Sequence, residues 1–140
     1  MSETIHASTV AIDGHAVLLE GPSGAGKSDL ALRLIDRGAV LVSDDYTLLT
    51  RSDGLLLASP PATIAGRIEV RGVGILPLPH AGPISVAMIV RLDGHFERLP
   101  EPVTRMIAGV PIPEIAIDPR EHSAPIKVEL ALRHLLDGAT

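Results

Sequence analysis

The feature that most constrains the fold of this chain is a complete Walker A pattern, G-x-x-x-x-G-K-[ST], near its amino terminus. The pattern consists of Gly21-Pro22-Ser23-Gly24-Ala25-Gly26-Lys27-Ser28. Residues 15–20 before it are mostly apolar and predict a buried strand, while residues 29–37 after it predict an amphipathic helix closed by Gly38. This strand, loop and helix are the structural context in which the pattern binds phosphate.

Each part of the loop has a defined role toward a nucleotide. Glycines allow the backbone to curl and present its N–H groups to phosphate oxygens, and the helix amino terminus adds partial positive charge. Lys27 can bridge the β- and γ-phosphates, and we expect it to face solvent. The Ser28 hydroxyl can ligate magnesium. The alternative is a glycine-rich turn that happens to end in Lys-Ser.

Composition limits the class of protein. The 140 residues are 46% hydrophobic, which predicts a single folded domain spanning residues 1–140. With a net charge of −5, one Tyr, one Phe and no Trp, the chain does not resemble a nucleic-acid binder. It contains no cysteine, so disulfides and thiolate metal sites are excluded. Without an apolar run of membrane-spanning length, we expect a cytoplasmic protein with no membrane partner.

The rest of the chain predicts many strands and two helices. Asp13-Gly14 predicts a hairpin that pairs residues 5–12 with residues 16–19, and Asp53-Gly54 predicts a second hairpin. The other predicted segments are strands at residues 39–43, 46–50, 55–58 and 85–92, a glycine-punctuated alternating stretch at 64–76, an irregular stretch at 96–106, at best an edge strand at 110–118 because of Pro111 and Pro113, and a closing helix at 127–137.

This order of elements is β-rich and lacks a repeating βα pattern, so a doubly wound nucleotide kinase fits poorly. We therefore predict an α/β fold of another kind. It is a mixed sheet wrapped on one central phosphate-loop helix, with the loop at the edge of the sheet.

Two carboxylates follow the short strand at residues 39–43. Asp44 and Asp45 resemble the end of a Walker B strand, and adjacent residues of a strand point to opposite faces. We therefore expect different roles, one on the metal or its waters and one nearer the phosphate acceptor. A strand-ending Asp-Asp turn is the alternative.

Three further residues are candidates. Glu69 and Arg71 are two apart, so they are predicted to share one face of a strand, where the guanidinium keeps the carboxylate ionised for a cation. A surface ion pair explains the same spacing. His6 is one of six histidines, and a solvated side chain is the simpler interpretation from pattern alone.

Taken together, these segments resemble the C-terminal catalytic domain of the HPr kinase/phosphorylases. Residues 21–38 match the family pattern G-x-S-G-x-G-K-S-E-x-A-L-x-L-x-x-R-G, with Asp29 in place of the glutamate, and residues 41–45 resemble L-V-A-D-D, with Ser43 in place of the alanine. Residues 68–75 resemble the family signature E-I-R-G-x-G-I, with Val70 in place of its first isoleucine, and His6 stands at the family's distance before the loop. The resemblance covers most of residues 5–76.

The resemblance implies a role for each candidate. Lys27 and the loop bind the phosphates of ATP, while Ser28 and Glu69 hold Mg²⁺, to which the Walker B comparison adds Asp44. Asp45 is the general base toward the acceptor serine and the acid in the reverse phosphorolysis, supported by Asp44 and His6. In residues 117–122, Arg120 stands for the family's catalytic arginine.

The implied activity is that of an ATP-dependent protein-serine kinase, with phosphorylase activity as a second expectation. Its acceptor is the phosphocarrier protein HPr of the phosphotransferase system, and the domain is a short form that lacks the family's separate N-terminal domain. A homo-oligomer and a fold like that of phosphoenolpyruvate carboxykinase are also implied. Two alternatives are a small-molecule kinase or nucleotide hydrolase on the same scaffold, and a nucleotide sensor without transfer activity.

Overall fold

The computed structural model describes residues 2–138, which form eleven strands and two helices. The strands are β1 (Ser2–Ile5), β2 (Ala7–Ile12), β3 (His15–Glu20), β4 (Val40–Ser43), β5 (Thr47–Ser52), β6 (Leu55–Ser59), β7 (Arg67–Val70), β8 (Gly74–Pro77), β9 (Ile84–Arg91), β10 (Val103–Ile107) and β11 (Val110–Ala116), and the helices are α1 (Lys27–Asp36) and α2 (Ala124–Gly138).

Nine strands form one mixed sheet, as the sequence predicted. The order is β1-β5-β6-β9-β3-β2-β4, and β11 extends it by pairing with β9 on one side and β10 on the other. The pairs β3–β9 and β9–β11 are parallel, whereas the other neighbours in this sheet are antiparallel. Strands β7 and β8 form a separate two-stranded sheet.

The sheet curls back on itself. One core cluster contains Leu49 and Leu56 from β5 and β6 together with Ala11 and Leu18 from β2 and β3, although β9 lies between the two pairs of strands in the sheet. A buried hydrogen bond of 2.8 Å between the hydroxyls of Thr9 and Thr47 also connects β2 directly to β5. Because of this curl, the ends of β2, β4 and β5 lie close together.

Both faces of β3 are buried, and this makes it the support of the phosphate loop. Val17 and Leu19 pack in the core cluster that contains α1 and α2, while Ala16 and Leu18 pack in the cluster inside the curl. We predicted the loop at the edge of the sheet, and this was wrong. Since β3 has β9 and β2 as neighbours, the loop leaves a central strand.

Several local predictions are confirmed. Asp13-Gly14 and Asp53-Gly54 join β2 to β3 and β5 to β6 as antiparallel hairpins. Helix α1 buries Leu30, Ala31 and Leu34 and ends before Gly38. The closing helix α2 begins at Ala124, earlier than predicted. Pro125 lies in its first turn, where the missing N–H of proline costs no intrahelical bond.

Other predictions were wrong. Residues 5–12 do not form one strand, because Ile5 is the last residue of β1 and the next strand, β2, begins at Ala7. Strand β1 pairs with β5, whereas β2 pairs with β3 and β4. Residues 96–106 include part of β10. Strand β11 has neighbours on both sides, although its prolines lie in the half that pairs only with β10, and pairing with β9 begins at Glu114.

Within residues 2–138, neither helix is long and apolar enough to cross a membrane.

Candidate active site

The phosphate loop curls tightly between the end of β3 and the start of α1. The amide of Ala25 donates to the carbonyl of Pro22 over 3.0 Å, and a Cβ atom added to Gly21 would lie 2.9 Å from that of Ala25. Gly26 has a φ of +104°, in the left-handed region that favours glycine. The sequence of the loop therefore fits a close backbone turn directly before a helix amino terminus.

Lys27 folds over this loop. Its Nζ donates to the carbonyls of Gly21 and Pro22 over 2.8 and 3.2 Å, and only 6% of the residue is exposed. We expected a solvent-facing lysine, and this was wrong because the loop carbonyls take up the ammonium group. The amine nevertheless remains at the loop, where a phosphate oxygen can replace a carbonyl as acceptor.

Asp44 is the centre of a buried hydrogen-bond network. Its Oδ1 accepts from the hydroxyls of Ser28 and Ser8 over 2.6 and 2.9 Å, and its Oδ2 accepts from the amide of Glu69 over 3.0 Å. Only 7% of Asp44 is exposed. A carboxylate suits this position because all three neighbours donate. Asp44 thus joins the phosphate loop to β2 and β7.

Asp45 points away from this network. Its amide donates to the Ser8 hydroxyl over 3.0 Å, and its Oδ1 accepts from Nε2 of His6 over 2.7 Å. The side chain of Asp45 is 55% exposed. His6 lies in the break between β1 and β2 and stacks on Tyr46, with ring centroids 5.1 Å apart. One carboxylate is therefore buried beside Ser28, and the other is open to solvent and oriented by a histidine.

Glu69 contributes to the Asp44 network through its backbone amide. Its amide bonds Asp44, while its side chain is exposed and forms no ion pair with any described residue. We predicted that Glu69 and Arg71 share a strand face, which was wrong because β7 ends at Val70 and the chain turns at Gly72, where φ is +86°. The surface ion pair is thus absent.

The donor set is suited to a cation that arrives with phosphate. Within residues 2–138, no group of three or more His, Asp or Glu side chains is arranged to hold a metal ion alone. Mg²⁺ normally takes only one or two protein carboxylates and completes its coordination with phosphate oxygens and water. Ser28, Asp44 and Glu69 are the residues that could hold such an ion.

The segment that carries Arg120 contacts the phosphate loop through Pro119. A Cβ atom placed on Gly26 would lie 3.5 Å from that of Pro119, so the segment before α2 lies against the loop. The Arg120 guanidinium binds both oxygens of Asp118 over 3.0 Å and holds the pKa of that carboxyl below its usual value. Arg120 has no hydrogen bond to Asp44 or Asp45 in this arrangement.

Sequence reasoning missed two residues that build this site. Ser8 connects the carboxylate of Asp44 to the backbone of Asp45, since its hydroxyl donates to Asp44 Oδ1 and accepts from the amide of Asp45. Arg33 binds the segment that carries Arg120. The indication for Ser8 was its place, with Thr9, as a polar residue in a strand whose other residues are apolar, but nothing local to Arg33 distinguishes it from any exposed helical arginine.

A large cavity of about 910 Å³ lies elsewhere, between α2 and the strands β10 and β11. Its lining includes Arg91, Pro100 and His134, and none of the site residues described above takes part. Because phosphate chemistry requires the loop, we place the candidate site at the loop and not in this cavity.

Comparison with known proteins agrees with the geometry. The family model described as the HPr serine kinase C-terminal domain matches residues 1–124. The chain belongs to this family. It is also 30% identical to a chain in the structure of the Hpr(Ser) kinase/phosphatase from Coxiella burnetii, with a TM-score of 0.85 and coverage of 99% of both chains. The predicted mixed α/β fold is thereby confirmed.

Curated relatives extend beyond the matched region. The chain is 34% identical to the HPr kinase/phosphorylase of Clostridium tetani, covering 81% of this chain and 41% of the relative. It is also 34% identical to that of Bordetella pertussis, covering 95% of this chain and 48% of the relative. The chain therefore spans less than half the length of these relatives.

Proposed function

We propose that residues 1–140 form a single catalytic domain that transfers the γ-phosphoryl group of ATP to a serine of the phosphocarrier protein HPr. The observation that carries this proposal is the separation of the two carboxylates. Asp44 is buried beside Ser28 of the phosphate loop, whereas Asp45 is exposed and bonded to His6. A domain that only binds nucleotide has no need for the second, acceptor-side carboxylate.

The buried carboxylate of Asp44 acts on the phosphate side of the reaction, together with the phosphate loop. Ser28, Asp44 and Glu69 would hold Mg²⁺, which when bound neutralises charge on the β- and γ-phosphates. Backbone N–H groups of the loop and the start of α1 would bind the phosphate oxygens. Lys27 would exchange its loop carbonyls for a phosphate oxygen, which keeps its charge at the transferring group.

The acceptor side uses Asp45. The serine oxygen of the acceptor forms a bond to the γ-phosphorus as the bond to the leaving ADP breaks, and Asp45 takes the serine proton. His6 donates to Asp45 Oδ1 and thereby orients the carboxylate. In the phosphorolysis, an oxygen of inorganic phosphate bonds to the phosphorus of the phosphoserine as the bond from phosphorus to the serine oxygen breaks, which yields pyrophosphate, and Asp45 in its acid form gives a proton to that serine oxygen. Asp45 does not need to be a strong base, because the transition state is loose. The task of Asp45 is to orient the serine hydroxyl and to accept its proton late in the reaction.

Arg120 would supply further positive charge. In the present arrangement its guanidinium is bound to Asp118, and its side chain is 85% exposed. Transfer would require the side chain to leave Asp118 and approach the γ-phosphate, where an arginine is worth about 10³-fold or more in rate. The position of Pro119 against Gly26 places the backbone of Arg120 within the neighbourhood of the loop.

The finer inferences from the family are part of the same proposal. They are a fold like that of phosphoenolpyruvate carboxykinase, a homo-oligomer, a cytoplasmic location in the phosphotransferase system, and no nucleic-acid or membrane partner. The family membership supports them.

The test is mass spectrometry of HPr from the source organism after incubation with the full chain and Mg-ATP. We expect one added phosphoryl group on a serine, and roughly 10²-fold slower transfer for Asp45→Asn. Asp53→Asn is the matched control, because Asp53 is also an exposed aspartate with positive φ and lies in a distant hairpin. Release of ADP without any modified HPr would instead favour a hydrolase or a small-molecule kinase. ATP binding without turnover would favour a nucleotide sensor.

A further inference from the structure

The guanidinium of Arg33 connects helix α1 to the segment that carries Arg120. Its Nη2 donates to the carbonyl of Pro119 over 2.6 Å, and its Nη1 donates to the carbonyl of Glu121 over 3.3 Å. These two carbonyls belong to the residues directly before and after Arg120. One side chain therefore holds the backbone on both sides of Arg120.

This connection is geometrically restrictive. A guanidinium is planar and presents its donors in a fixed fork, so two bonds fix both the position and the orientation of the bound backbone. The remaining nitrogen, Nε, lies 3.1 Å from Oδ2 of Asp29, one helical turn earlier, in an ion pair without hydrogen-bond geometry. That contact keeps the Arg33 side chain along the helix surface.

Arg33, which we call the anchor of the Arg120 segment, and the end of the phosphate loop belong to the same helix, α1. Helix α1 begins at Lys27, the last loop residue but one, and Arg33 lies on the same helix. Pro119 also packs against Gly26, so the segment contacts the loop and its helix at two points. Among residues 2–138, the side chain of Arg120 by contrast bonds only Asp118, and it is 85% exposed. The backbone on both sides of Arg120 is thus held by Arg33, whereas the guanidinium of Arg120 is held by Asp118.

We propose that Arg33 is a positioning residue that fixes the backbone of Arg120 beside the phosphate loop. This inference rests on the proposed function, since it assigns Arg33 an effect on transfer only through Arg120. Arg33 does not touch the nucleotide or the acceptor. Misplacing a catalytic group by about 1 Å costs up to roughly 10²-fold in rate, so loss of the anchor should slow transfer without weakening ATP binding.

The test compares Arg33→Ala and Arg33→Lys with the control Arg37→Ala. Arg37 is the residue directly after the end of the same helix and bonds Glu129 of α2, so its removal costs a similar surface contact without touching the Arg120 segment. We expect Arg33→Ala to lower kcat by about 10-fold or more. The Kd for ATP should stay within about 3-fold of wild type, since the loop is intact. Lysine offers a single ammonium group and should restore only part of the rate.

Two further measurements separate positioning from a general structural effect. Hydrogen exchange of the amides of residues 120 and 121, measured without nucleotide, should become faster in Arg33→Ala and not in Arg37→Ala. In the background of Arg120→Ala, adding Arg33→Ala should change kcat less than about 2-fold, because coupled residues are not additive. Thermal unfolding by circular dichroism checks that each variant is folded, and Arg33→Lys preserves the charge if the alanine variant unfolds.

The outcomes are distinguishable. If Arg120→Ala transfers much more slowly than wild type while Arg33→Ala transfers at the wild-type rate, the contact of Arg33 with the Arg120 segment is unimportant and the proposed kinase stands. If the two effects multiply in the double variant, Arg33 acts independently of Arg120 and the inference is overturned. If the wild-type chain transfers nothing, the proposed function fails, and unchanged exchange at residues 120 and 121 in Arg33→Ala would overturn the anchor as well.

Discussion

Replacing Asp44 with asparagine should destabilise the folded chain even without nucleotide or metal. In the structure both carboxylate oxygens accept hydrogen bonds, Oδ1 from the hydroxyls of Ser8 and Ser28 and Oδ2 from the amide of Glu69. An asparagine has one acceptor oxygen and an NH₂ group that only donates. If its oxygen faces the serines, its NH₂ meets the Glu69 N–H, and if it turns around, both serine hydroxyls lose their acceptor.

Either orientation leaves at least one donor without a partner in a buried or partly buried position. Leaving a buried donor unsatisfied costs about 1–3 kcal/mol, and the charge assistance of the remaining bonds is also lost. For a domain of this size we therefore expect the Tm to fall by roughly 4–12 °C. Asp45→Asn should cost less than about 1 kcal/mol, because the side chain of Asp45 is 55% exposed and its bond to His6 lies at the surface.

The measurement is thermal unfolding followed by circular dichroism, in buffer without ATP or magnesium so that ligand binding does not contribute. Asp53→Asn provides the baseline for an exposed Asp-to-Asn change at positive φ. A Tm for Asp44→Asn within about 1 °C of wild type would contradict the hydrogen-bond network. The same holds if Asp45→Asn proves the more destabilising of the two, since that would reverse the assignment of the buried and exposed carboxylates.

Three other predictions concern ligands and pH. Lys27→Ala should abolish transfer and leave a folded chain, and wild-type turnover with normal ATP affinity would contradict the role of Lys27. Glu69→Gln should raise the Mg²⁺ concentration needed for half-maximal activity while changing stability by less than about 0.5 kcal/mol, and an unchanged titration would remove Glu69 from the metal site. The Asp118 pKa is lowered by Arg120, so this ion pair stabilises the segment above the ordinary aspartate pKa and is lost as pH falls through the depressed value. A carboxyl carbon titration by NMR should show this midpoint returning toward the ordinary value in Arg120→Ala, and an unmoved midpoint would mean that the pair does not exist in solution.

The parts of the fold that were predictable depend on local chemistry. Asp-Gly pairs determine hairpins because both residues reach positive φ at low cost. A loop that ends in Gly-Lys-Ser before a helical pattern can be recognised as a phosphate loop from the sequence. Strand β11 was underestimated because Pro111 and Pro113 remove donors. The sequence does not reveal that only the last residues of this strand, Glu114 to Ala116, pair with β9, where the lost donors do not matter.

The site was predictable residue by residue but not as an assembly. The loop, Asp44 and Asp45 are adjacent to recognisable elements. Ser8 and Arg33 are not, because their partners lie 36 and 86 residues away along the chain. Such contacts depend on the curl of the sheet and on the path of the segment before α2, and no local pattern encodes either.

The separation of the two carboxylates has a different physical cause from the one that the sequence predicts. Strand alternation would separate them, but β4 ends at Ser43, so Asp44 and Asp45 lie beyond the strand. Asp45 instead has a φ of +68°, and this left-handed turn directs its side chain away from Ser28 and toward His6. Aspartate and asparagine tolerate this conformation better than other residues with side chains, and β-branched residues tolerate it least. Asp45→Asn therefore removes the charge and keeps the turn, whereas Asp45→Val would remove both. It follows that only the asparagine variant isolates the chemical role of this carboxylate, and that a loss of activity in the valine variant alone would report on the backbone.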